Sequence, residues 1–213
     1  MDKPNNIATT TRYSKMISFL PKDCSKLVIL DIGAGNYPIS KDIKTKKTLL
    51  LDGNKQYKPD LIVDLNSQKI SLKDGSIDIV IAGEVIEHML NPCRFLNEIN
   101  RVLIIGGILI LSTPNICSLK NRIRMIFNLI PEHSASHLAC LPQDNPGLHG
   151  HVGDFNSKSL LKFLEKEGFK LVKIDSNGVI LRGKRVFPLF LTPVSFGEIL
   201  IIKAVKKLNV KQS

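Results

Sequence analysis

The sequence predicts an open α/β sheet, mostly parallel, with helices on its faces. Three observations point there. Five short apolar runs, rich in β-branched residues, lie between residues 26 and 114. The first two end in an aspartate followed by a glycine-bearing turn. Between the fourth run and the fifth, the apolar residues change to helical spacing. Strands that lack polar alternation are buried on both faces, as in a parallel sheet, and a helix between two of them makes a β–α–β unit.

In chain order the runs are KLVILD (26–31), KTLLLD (47–52), LIVDL (61–65), SIDIVIAG (76–83) and GGILILSTP (106–114). The helix of the β–α–β unit is NPCRFLNEINRVL (91–103). There Phe95, Leu96, Ile99, Val102 and Leu103 share a face, and Asn91 with Pro92 supplies the cap and first turn. Ile116, Leu119, Ile123, Ile126, Phe127 and Ile130 predict a second helix, with Lys120, Arg122 and Arg124 off its apolar stripe. Residues 131–155 have no regular period, and so long a connection in a compact domain is a functional or mobile loop. Asn156 or Ser157 then caps a helix carrying Leu160, Leu161 and Leu164, closed by Gly168. FKLVKID (169–175) and GEILIIKAV (197–205) are two last strands, and the proline-bearing segment between them gives no clear pattern.

At 213 residues, 43% hydrophobic and 23% charged, the chain has the composition of one folded globular domain and not of a disordered one. Thirty Lys and Arg against 19 Asp and Glu leave a net charge of +11, which favours anionic partners without choosing among metabolites, nucleic acid and acidic membranes. Cys24, Cys93, Cys117 and Cys140 stand singly, so reduced, mostly buried thiols are expected rather than a zinc ribbon or a disulfide framework. The polar N-terminus has no signal-peptide core, and Pro188, Pro193, Gly197 and Glu198 break the apolar stretch 186–202. A cytoplasmic protein is expected, with peripheral membrane contact left open.

The loop after the first strand reads Asp31-Ile32-Gly33-Ala34-Gly35, and Asp52 ends the second strand. Glycines there let a ligand approach the backbone, and a strand-end acid accepts hydrogen bonds from ribose hydroxyls. The dinucleotide fingerprint wants a third glycine at position 38, where Pro38 stands, and no P-loop lysine follows. A ligand with ribose and adenine but no pyrophosphate fits better, which describes S-adenosylmethionine.

These residues, with VILDIGAGNYP, LLLDGN, DLIVDLN, GSIDIVIAGEVIEHMLNP, FLNEINRVLIIGGILILSTPN and HVGDFNSKSLLKFLEKEGF, resemble the class I S-adenosylmethionine-dependent methyltransferases of the type 11 group. The resemblance covers residues 26–115 well and 149–175 more loosely. It implies a Rossmann-like, seven-stranded, mostly parallel sheet flanked by helices, with the last strand antiparallel. It also implies a single methyltransferase domain over 1–213, with an N-terminal helical cap (1–25) and an acceptor-side helix and lid loop (115–155). Carried over by resemblance, Asp31, Gly33 and Gly35 line the methionine part of the cofactor. Asp52 holds the ribose, Asp64 and Leu65 lie beside the adenine, and Gly83 and Glu84 lie beneath the methionine and sulfonium. Arg12 or Tyr13 lies over the cofactor. The chain departs from the family where only 11 residues separate Gly35 from the second strand and 8 separate Asp52 from the third, so the helices after strands 1 and 2 are shortened.

Methyl transfer to a hydroxyl needs a base for its proton, and histidine suits neutral pH. His149 and His151, just before the capped helix, are the candidate catalytic residues, with a metal as an alternative use. Glu84, Glu87 and His88 match a magnesium-binding set of quinone-biosynthesis O-methyltransferases. The same pattern is widespread in relatives without a known metal, so the pair Glu87-His88 is read as structural and no metal is assigned. His133 and His137 are read as part of a solvated loop. The expected acceptor is a small molecule, a sugar or an anionic lipid-linked compound. The basic amphipathic stretch 118–130 reads as a surface helix, or as a lid or membrane-interface element. Nucleic acid is disfavoured, because no aromatic platform accompanies the basic residues and AGEV replaces the base-methylating signature after the fourth strand. A non-catalytic binding module is the remaining alternative.

Overall fold

Val28–Ile32 (β1), Lys47–Asp52 (β2), Leu61–Ile62 (β3), Ile77–Gly83 (β4), Leu103–Pro114 (β5), Phe169–Ser176 (β6) and Ile199–Lys206 form one sheet in a computed structural model that describes residues 7–134, 151–181, 184–186 and 192–208. With the short hairpin Ile180–Leu181 (β7) and Lys184–Arg185 (β8) counted, Ile199–Lys206 is β9. The seven strands lie in the order β3-β2-β1-β4-β5-β9-β6. The first five pair in parallel, and β9 runs antiparallel to both β5 and β6. The expected sheet is therefore present with its reversed last strand. The hairpin falls in the stretch that gave no sequence pattern.

Alternate residues of each central strand feed two different cores, as the two-residue side-chain period requires. Leu30, Ile32, Val80, Ala82, Leu109 and Leu111 face the larger one, which Pro92–Val102 (α2) and Ser157–Lys166 (α4) cover. Ile29, Ile79, Ile81 and Ile110 face the smaller one, where Ile7–Ser18 (α1) sets Met16 against them with Phe19 just beyond its end. Helix starts follow the expected chemistry. The Asn91 side chain accepts from the Arg94 amide, and Asn156 and Ser159 cap each other reciprocally at the start of α4.

After β1 and β2 the chain makes only 3₁₀ turns, Ile39–Asp42 and Lys55–Tyr57, as the short spacings require. The wall a longer helix would form is replaced by an open groove of about 660 Å³, lined in part by Gly35, Lys41, Leu50, Tyr57 and Lys58.

The helix expected along 116–130 is a correction. It spans only Leu119–Ile126 (α3), and Ile123, Met125, Ile126, Phe127, Leu129 and Ile130 are exposed rather than packed inward. Its fixed end is polar instead: Ser118 caps it, buried Asn121 donates to the Glu132 carbonyl, and Lys120 and Arg124 pair with Glu132. Cys24 is buried, while Cys93 and Cys117 are half-buried, and all three are free thiols. Among the described residues no helix is long and apolar enough to cross a membrane.

Candidate active site

The carboxyl end of β1 builds the cradle. Asp31 is buried, and its Oδ2 accepts from the Ser40 amide at 2.8 Å and the Ser40 hydroxyl at 2.7 Å. Burial pushes its pKa up to about 6, with the Ser40 hydrogen bonds opposing. Gly33 and Gly35 have φ of 66° and 53°, where a side chain is strained. At Gly33 a Cβ would also come within 2.5 Å of Val85 Cγ2. The loop is tied to β2 twice: Gly33 donates to the Leu51 carbonyl at 2.8 Å, and Gly35 donates to Asp52 Oδ2 at 3.0 Å. The other Asp52 oxygen accepts from the Asn54 amide at 2.8 Å. Asp52 thus braces the loop and keeps spare lone pairs at its rim.

Helix α1 roofs this loop. Arg12, Tyr13, Asp31, Gly33, Gly35, Gly83 and Glu84 are among the residues that enclose a cleft of about 180 Å³. That is smaller than a typical whole-ligand pocket of roughly 300–1,000 Å³, so the cleft suits one end of an elongated ligand whose remainder runs past Asp52. The Tyr13 hydroxyl donates to the Tyr37 carbonyl at 2.8 Å and locks α1 to the loop. Glu84 has φ of 60°, a strained conformation at the end of β4, and lies 3.5 Å from Arg12 Nη1. Arg12 Nε and Nη1 are buried without a hydrogen bond. Buried guanidinium nitrogens call for an anionic acceptor. The carboxylate of a methionine moiety supplies one, and Asp31 and Glu84 suit its ammonium, so the donor set fits S-adenosylmethionine.

Asp64 and Leu65 stand apart from the residues lining that cleft. Asp64 accepts from the Asn66 amide at 3.0 Å and the Ser67 hydroxyl at 2.7 Å, and the Ser67 bond holds its pKa below the usual value. Leu65 packs against the larger core.

The far side of Glu84 holds a second group. Glu87 is buried, and its Oε2 accepts from the Thr113 hydroxyl at 3.0 Å while Oε1 has no hydrogen bond. Burial, and then the Glu84 charge, push its pKa well above the usual carboxylate range. The Glu87 carbonyl accepts from the amides of Val152 and Gly153, which brings His151 to this spot. The His151 ring lies 4.9 Å from that of His88 and 6.0 Å from that of His133. His151 Nδ1 is 2.6 Å from the His133 carbonyl, which only accepts, so Nδ1 carries the proton and Nε2 the lone pair. His133 has φ of 60°, and burial, then His151, lowers its pKa. His133 is exposed, in keeping with the solvated reading, and its ring also stands beside that of His151. Sequence spacing could not reveal this, because backbone bonds to Glu87 draw the loop in. His137, His149 and most of the expected lid (135–150) lie outside the described residues.

Comparison with known proteins agrees with this fold. The family described as "Methyltransferase domain", type 11, matches residues 13–111. A probable S-adenosylmethionine-dependent methyltransferase of Mycolicibacterium smegmatis is 30% identical over 106 residues, 50% of this chain and 34% of that protein. The matched part thus spans about a third of that relative's length. Among solved structures, a methyltransferase of Thermotoga maritima superposes with a TM-score of 0.64 at 18% identity, covering 94% of this chain and 90% of that one. An S-adenosylmethionine-dependent methyltransferase of Mesorhizobium loti superposes with a TM-score of 0.62 at 13% identity, covering 94% and 100%. With the glycine loop, its strand-end acid and the sheet order in place, residues 13–111 match the type 11 methyltransferase-domain family, and the chain has the fold of the solved S-adenosylmethionine-dependent methyltransferases.

Proposed function

We propose that the chain transfers a methyl group from S-adenosylmethionine to an oxygen nucleophile on a small-molecule, sugar or anionic lipid-linked acceptor. The observation that carries this is Arg12, whose buried nitrogens lack a hydrogen bond beside the Gly33 and Gly35 loop. Arg12 would hold the methionine carboxylate, Asp52 the ribose, and Asp64 and Leu65 the adenine edge. When bound, the cofactor supplies an electrophilic methyl on a sulfonium. The chain's own residues align the acceptor and take its proton. His151 is the base, since its Nε2 lone pair is fixed by the bond from Nδ1 to the His133 carbonyl. His149 remains a candidate from sequence alone. The exposed apolar side chains of 123–130 support a lipid-linked acceptor and work at a membrane face from the cytoplasm.

Calorimetry with S-adenosylmethionine and S-adenosylhomocysteine tests the cofactor reading. Arg12→Ala is expected to weaken both by about 10–100-fold, the range for hydrogen bonds to a charged group. Tight NAD binding in their place would overturn it. Label transferred from methyl-labelled cofactor to cell extract is expected in the lipid or small-molecule fraction. Label confined to nucleic acid refutes the acceptor class.

A further inference from the structure

The side-chain cluster beyond Glu84 has a composition that the methyl-transfer chemistry does not require. Glu87, His88 and His151 each place one ligand atom within 4.8 Å of the others. Two imidazoles and one carboxylate form a ligand set typical of zinc-type catalytic sites, which keep a position open for water or substrate. The surroundings orient these groups as ligands. The His133 carbonyl accepts a hydrogen bond from His151 Nδ1–H and leaves the Nε2 lone pair to bind a metal. The Thr113 hydroxyl binds Glu87 Oε2 and leaves Oε1, buried and without a hydrogen bond, as the second. Such outer partners are the usual supports of metal ligands.

We infer that Glu87, His88 and His151 form a binding site for one divalent transition metal of the zinc class. Closing the cluster onto the ion needs shifts of about 1 Å or less per side chain, since metal–ligand bonds are about 2.0–2.2 Å. Magnesium and calcium prefer oxygen ligands and suit two imidazoles poorly. The set also differs from the triad of Glu84, Glu87 and His88 suggested by sequence. Glu84 turns to Arg12 and Ser112, and His151 takes its place. An open position on the ion would bind an acceptor oxygen and make the hydroxyl more acidic. In that form His151 is a ligand rather than the base. This role rests on the methyl-transfer reading, whereas the binding itself does not.

The test uses the full, untagged chain stripped with a chelator. Calorimetry is expected to show one equivalent of Zn²⁺, and Co²⁺ to give the visible absorption of a low-symmetry site. Glu87→Gln and His151→Ala should each lower Zn²⁺ affinity by more than about 100-fold, beyond the 10–100-fold expected when Thr113→Val removes an outer partner. S-adenosylhomocysteine binding by each variant confirms that it is folded. Three results would overturn the site: no Zn²⁺ or Co²⁺ uptake by stripped wild-type chain that still binds S-adenosylhomocysteine, Zn²⁺ affinity unchanged in both ligand variants, or preference for Mg²⁺. Zn²⁺ uptake lost in the variants, by a chain that binds no S-adenosylhomocysteine, supports the metal site and refutes the cofactor reading instead.

Discussion

A carboxylate with 1% of its surface exposed is costly to ionise, and Asp31 is such a group. Its pKa rises from 3.8 to about 6 because burial outweighs the two Ser40 hydrogen bonds. Between these values the folded chain keeps a proton that the unfolded chain has released. Asp31 therefore contributes stability that is fully present below the unfolded value and is lost as pH rises through about 6. The loss is about 3 kcal/mol over the window. Urea unfolding from about pH 4 to about pH 7 is expected to show a steeper decline in the wild type than in Asp31→Asn, where the remaining decline comes from groups such as Glu87. Parallel pH profiles for the two would show that Asp31 titrates alike in both states. The sequence marks Asp31 as an acid beside the loop's amides, but it does not name Ser40 as the partner that holds it.

At the scale of elements, α1 has two tasks. Through Met16 it closes the smaller core, and through Arg12 and Tyr13 it roofs the cleft. Met16 is fully buried, so Met16→Ala should cost about 2–5 kcal/mol. Because the same helix carries Arg12, S-adenosylhomocysteine affinity should fall too, although Met16 is not among the cleft-lining residues. A stability loss with unchanged affinity, measured by denaturation and calorimetry, would separate the two tasks. The seven strands of the main sheet, α2 and α4 were legible in the sequence because their apolar periods match what they bury, and the helix caps stand at Asn91 and Asn156. The length of α3 was not. Its apolar stripe finds no core, and the segment is held by Asn121 and Glu132, whose pairing has no periodic signature. The shortened connections after β1 and β2 were legible from residue counts alone. The approach of His133 to His151 was not, since main-chain bonds to Glu87 carry no mark in residue identity.

Across the whole molecule, ligand and fold are coupled, because a ligand held by Arg12 also holds α1 down on the sheet. S-adenosylhomocysteine at 100 times its dissociation constant should raise stability by about 2.7 kcal/mol. Hydrogen exchange should slow most in the amides of Ile7–Ser18, and protection spread evenly over the sheet would contradict the coupling. The same helix packs on β5 and β9, and Lys15 reaches Asp175 on β6 at 2.5 Å. These partners lie far along the chain, between residues 103 and 206. On the ribosome α1 emerges before the strands it packs on, and one part of its seat, Ile201 on β9, is made long after the rest. Until β9 threads between β5 and β6, α1 lacks that part of its seat, so the roof of the cofactor cleft gains its full support only once residues 199–206 are in place.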